Sequence, residues 1–160
     1  MSTIRILSSS FLAAALLVQP AMAQNKAAIA KSASEFIKVS QGLAASLADL
    51  TKRAGTASPN DKDMLKLVNT QLGLVDATAD GVVALGLVAA EMRDASDLAA
   101  AKKQLATRCT ALKSLSEASG KYVGSLASNI AAVATAAEVN KARDLVVQMG
   151  QHALCNPGKA

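Results

Sequence analysis

Met149, His152 and Cys155 fall at three-residue steps near the end of the chain. On a helix that spacing sets a thioether, an imidazole and a thiol along one side. Those donors suit soft copper(I), so a periplasmic metal or redox carrier is one function the sequence allows. A simpler use of the sulfur competes with it. Cys155 and Cys109 are the two cysteines of the chain, and in an exported domain two cysteines are most simply one disulfide. Oxidation of Cys155 removes the thiolate a metal would need. The pair also lacks the Cys-x-x-Cys spacing of redox-active dithiols. We therefore expect a Cys109–Cys155 disulfide, a core Met149, a surface His152 and no resident cofactor.

Other chemistry is excluded residue by residue. Asp76-x-Thr78-x-Asp80-Gly81 imitates the start of an EF-hand loop, but the twelfth position is Leu87, where a bidentate Glu is needed. The residues between are apolar and offer no side-chain oxygens. Haem attachment through Cys-x-x-Cys-His is absent. The chain resembles cytochrome b562 in architecture only, over no shared motif: His152 could serve as a last-helix histidine, but the first helix after the leader has no Met, and no ligand role is carried over. No Glu-x-x-His supports a di-iron centre. With one His, no Gly-x-Ser-x-Gly and no Gly-rich phosphate loop, neither a hydrolytic triad nor a nucleotide site can be assembled. Glu35 with Lys31 and Lys38, and Asp49 with Lys52 and Arg53, read as ordinary surface pairs.

The elements that must position these residues are helices. Ile29, Ala33, Phe36, Leu43, Leu47 and Leu50 recur at steps of three and four, with Ser40 in the gap. Leu65, Val68, Leu72, Val75, Ala79 and Val82 repeat the pattern. Leu98, Leu105, Cys109 and Leu112 form a third stripe. Val123, Leu126, Ile130, Val133 and Ala137 form a fourth, and Val139, Ala142, Val146 and Met149 continue it in shifted phase. Ser58, Pro59 and Asp61 supply an N-cap, a first-turn proline and a dipole-complementing acid. Glu91 to Asp97 and Ser119-Gly120-Lys121 punctuate the later segments. Thr135 and Glu138 have capping-box spacing. These signals predict helices over 26–53, 59–91, 95–118 and 121–154, the last open to a break near 135. Short connections make them antiparallel, so the expected fold is an all-α, up-and-down four-helix bundle.

Before them stands an apparent secretory leader over residues 1–23. It has a polar start with Arg5, an apolar run from Phe11 to Val18, a breaking Pro20, and Ala21-Met22-Ala23 as a small-x-small cleavage pattern. Cleavage would leave 24–160 as a single bundle domain, periplasmic or secreted. The apolar run is too short to span a membrane, and no membrane span is expected in the mature chain.

The full chain carries +5, spread so that no run of basic residues exceeds a pair. Beyond the leader there is one Phe, one Tyr and no Trp. Without clustered charge or stacking platforms, nucleic-acid binding is not expected. One stretch is more apolar than a single core stripe requires: Val82 to Ala90, with Val82, Val83, Leu85, Leu87 and Val88 as the expected binding surface. It would hold a protein partner, a second copy or a small apolar ligand. The sequence thus reads as a non-catalytic, exported binding or structural protein.

Overall fold

The structure, a computed structural model, describes residues 9–156, with side chains from Ala23 onward. Arg5, the side chains of the leader's apolar run, and Pro157-Gly158 lie outside the described residues. Four helices make up the described residues: α1 Ser9–Thr56, α2 Pro59–Glu91, α3 Ala95–Ala127 and α4 Val133–Gln151.

Side-chain contacts fix the direction of each helix. Along α1 and α2, Thr51 meets Asn69, Ser40 meets Asp76, and Ala33 meets Gly86, so the two run antiparallel. Gln71 of α2 donates to Ser119 of α3, while Gly81 and Leu85 face Gln104 and Arg108. Gly120 and Gly124 of α3 lie against Val147 and Arg143 of α4. Ser46 pairs with Glu138, Gly42 with Leu145 and Phe36 with His152, which closes α4 on α1. The result is the up-down-up-down bundle expected from the stripes.

The core is built from those stripes. Phe36, Leu43, Leu50, Leu65, Val68, Leu72, Val75, Val82, Leu112, Val123, Val139, Val146 and Met149 are fully enclosed. Burying such side chains is worth about 1.5–3 kcal/mol each before the cost of ordering them. The Ser58 side chain accepts the Asp61 N–H at 3.3 Å, and α2 begins at Pro59, as the cap and first-turn proline require.

Three boundaries differ from the sequence reading. Helix α1 starts at Ser9, so Pro20 lies within it and does not end it; one proline removes one ladder hydrogen bond, and neighbouring turns keep theirs. Helix α3 runs through Ser119-Gly120-Lys121 to Ala127. Gly120 is a contact site there: a Cβ on it would come within 3.2 Å of Val147 Cγ2. Its small size admits α4, and no glycine among the described residues takes a positive φ. The break between the last two helices falls at 128–132, close to the allowed position near 135. The Thr135–Glu138 capping box does not form. Ala132 is the N-cap, Thr135 is buried, and Glu138 instead accepts from Ser46 Oγ at 3.2 Å and pairs with Lys141.

Asp61 supplies the missing cap from a distance. Its carboxylate accepts the backbone N–H of Ala131 at 3.1 Å and of Ala132 at 3.3 Å. The side chain is only 3% exposed. One acid at the start of α2 thus anchors the entry to α4, 70 residues away.

Candidate functional site

The C-terminal residues come together at one end of the bundle. Helix α4 stops at Gln151 while α1 and α3 continue past it. The chain turns at His152, and Leu154 folds back against Gly86 of α2 and Ala33 of α1. Gly86 makes this possible: a Cβ would stand 3.3 Å from Leu154 Cδ1. Cys155 then meets Cys109 of α3, with Sγ atoms 1.98 Å and Cα atoms 5.1 Å apart. The tail is tied to the third helix across 46 residues of sequence.

His152 is half-buried and not the surface residue the sequence suggested. Its ring meets Phe36 edge-on, with centroids 4.9 Å apart, and its Nδ1 accepts the Leu154 N–H at 3.2 Å. That bond requires an unprotonated Nδ1. Burial pushes the His152 pKa below the usual histidine value of 6.5, and Glu35 partly opposes this. Met149 is enclosed in the core and Cys155 is bonded to Cys109. As folded, the thioether is buried, the imidazole Nδ1 accepts a backbone N–H and the Cys155 sulfur is in a disulfide, so the three do not present a common donor set. Among the described residues no group of three or more His, Cys, Asp and Glu gathers as a metal site.

A histidine held neutral in the folded state has a definite linkage sign. Its stabilisation is present above pH 6.5 and is lost as pH falls through the lowered folded-state value. Melting temperature should therefore fall between pH 7.5 and pH 5. His152→Asn keeps an acceptor near Nδ1 without a titrating ring. The pH-dependent part of the loss should shrink in that variant. An identical pH slope in both proteins would remove His152 as its source.

The disulfide borders an open groove of about 400 Å³ between α1 and α3. Ile29, Leu105, Ala106 and Leu154 give it apolar walls, and Lys102 Nζ reaches Asn25 Oδ1 at 3.3 Å across its edge. It exists because α4 is too short to fill that corner.

The calcium-like Asp76–Asp80 pair lies inside continuous α2. Ser40 Oγ lies within hydrogen-bond distance of both carboxylates, 3.2 Å from Asp76 and 3.4 Å from Asp80. Burial raises the Asp76 pKa; the Ser40 bond opposes the shift and the neighbouring Asp80 charge adds to it. Both acids are drawn toward α1.

The expected binding stretch divides between two faces. Val82 is fully buried, and Val83 and Leu85 pack half-buried against the core. Leu87 and Val88 are 41% and 48% exposed. The exposed apolar surface extends further back than the sequence reading placed it, to Leu74 at 54% and Leu67 at 46%. Thr70, Ala77, Gly81 and Ala84 are exposed between them. Residues 67, 70, 74, 77, 81, 84 and 88 step alternately by three and four along the back of α2, opposite its core face. The apolar residues Leu67, Leu74, Ala77, Ala84 and Val88 at these steps are its signature in the sequence. By length and composition alone α2 would pass for a membrane span; in the bundle its inward side is core.

Fold and site define an all-α four-helix bundle with a tethered C-terminal tail and an apolar outer face on one helix. Comparison of the chain with protein-family models, with curated proteins and with solved structures finds no match.

Proposed function

We propose that this protein is a non-catalytic interaction protein of an exported compartment, periplasmic or secreted, which works through the outer face of α2. The observation that carries the reading is the exposed stripe from Leu67 to Val88. It runs for about 32 Å along the helix at 1.5 Å per residue. No charge lies on the stripe itself, and the two acids within its length, Asp76 and Asp80, are held toward Ser40 of α1. A continuous apolar face of this kind marks a surface that another macromolecule covers. Export is supported by the Arg5, Phe11–Val18 and Ala21-Met22-Ala23 pattern, and by a disulfide that an oxidising compartment sustains.

The test places a photo-crosslinking residue at position 74 in the full-length protein expressed for export in a Gram-negative host. Protein recovered from the exported fraction should begin at Gln24 and form covalent adducts. Leu74→Asp should leave unfolding free energy within about 0.5 kcal/mol of the parent, because the side chain faces outward. The same change, placed beside a crosslinker at position 77, should abolish the adducts. Retention of the protein in the cytoplasm, or no adduct from either position, would overturn the reading.

A further inference from the structure

We infer that the occupant of the α2 stripe is the α2 helix of a second copy of this chain, laid antiparallel across a two-fold axis near Ala77. The inference rests on the reading of α2 as the working face and names its partner.

Shape carries the first part of the argument. In an antiparallel pair centred near Ala77, residue numbers that face each other sum to about 155 by the 1.5 Å rise of the helix. Leu74 then stands opposite Gly81, Leu67 opposite Val88, Thr70 opposite Ala84, and Ala77 opposite its own copy. Leu74 meets the notch at Gly81, Thr70 meets the small Ala84, and Leu67 and Val88 close an apolar contact at each end. Among the described residues no side chain and no other helix comes within 4 Å of the position a Gly81 Cβ would take, so packing inside the bundle does not call for glycine there. An exposed mid-helix glycine costs about 1 kcal/mol relative to alanine. A notch that admits Leu74 of a second copy gives it a use. Parallel pairing would instead set Leu67 on Leu67 and leave Gly81 facing Gly81.

Charge carries the second part. Lys62 and Lys66 are exposed on one flank of the stripe near its start, and Glu91 is exposed on the same flank at its end. Antiparallel packing brings this segment of each copy, in which Lys62 and Lys66 outnumber the exposed Asp63, toward Glu91 of the other, once at each end. Parallel packing would set lysine against lysine and glutamate against glutamate. The helix dipoles favour the antiparallel arrangement as well. Within one copy the Lys66 ammonium pairs with the exposed Asp63, 3.0 Å away, a surface pair that can exchange partners. A self-complementary face of this kind closes after two copies, so it makes a dimer and not a filament.

The experiment uses the disulfide-bonded protein and three single variants, Leu67→Cys, Ala77→Cys and Val88→Cys, all at exposed sites. Sedimentation of the parent should show a concentration-dependent dimer. Under mild oxidation Ala77→Cys should crosslink to itself, whereas Leu67→Cys and Val88→Cys should crosslink only when mixed. Gly81→Ala should raise the melting temperature by filling open helix surface, yet weaken dimerisation. Lys66→Glu and Glu91→Lys should each weaken dimerisation by about fivefold, and the double variant should restore it. Self-crosslinking of Leu67→Cys would show parallel pairing and overturn the inference. A parent that stays monomeric to millimolar concentration would overturn it too, including one that binds phosphatidylglycerol vesicles as a monomer. The position-74 adduct tells the two failures apart. A product of twice the chain mass fits a second copy. An adduct of any other mass leaves α2 as the working face but overturns the second-copy inference. No adduct sinks both.

Discussion

Replacing Cys109 and Cys155 together by alanine should lower unfolding free energy by about 4 kcal/mol, the chain-entropy value for freeing a loop of 46 residues. For a domain of this size that corresponds to a fall of roughly 12 °C in melting temperature. The loss should begin locally. Without its tether the tail from His152 to Asn156 keeps the Leu154 contact with Gly86 and Ala33 and a few backbone bonds. Amide exchange should therefore quicken first at Leu154 and Cys155, and the groove between α1 and α3 should widen. Reducing agent added to the parent protein should reproduce the effect. Equal melting of the bonded and reduced protein would show that α4 and its tail are held by packing alone.

Asp61→Ala is expected to cost about 3 kcal/mol although the residue is an acid at the head of the buried α2 stripe, four residues before Leu65. Its carboxylate accepts the Ala131 and Ala132 N–H groups at the entry to α4, where Ala132 offers no side-chain cap of its own. Removing it strips the acceptor from two backbone donors at once, and groups left unpaired in a part-buried site cost about 1–3 kcal/mol each. Asp61→Asn keeps one acceptor oxygen and should lose about half as much. Chemical denaturation measures both. A loss below about 1 kcal/mol for the alanine variant would mean that water or Ser128 replaces the acid without penalty.

Helix number, direction and most core positions were legible in the sequence because a buried stripe imposes a period of 3.6 on residue type. Helix α2 was fixed at both ends by local signals, Ser58 and Pro59 at its start and the polar break after Glu91 at its end. The cysteine pairing followed from there being two cysteines in a chain that carries an export pattern. These features depend on neighbours within a few residues, or on counting.

Only tertiary structure decided the rest, and each case involves a contact between residues far apart in the chain. Gly120 reads locally as a helix end, yet it is a close-packing point because Val147 lies above it. Asp61 reads as a dipole partner for its own helix, yet it also caps another. His152 reads as a surface residue, yet Phe36 and the Leu154 amide hold it half-buried. The apolar run from Val82 to Val88 has the same composition on both sides. Sequence could not say that Val82 is core and Val88 is not, because a second stripe on one helix becomes surface or core only according to where the other three helices stand.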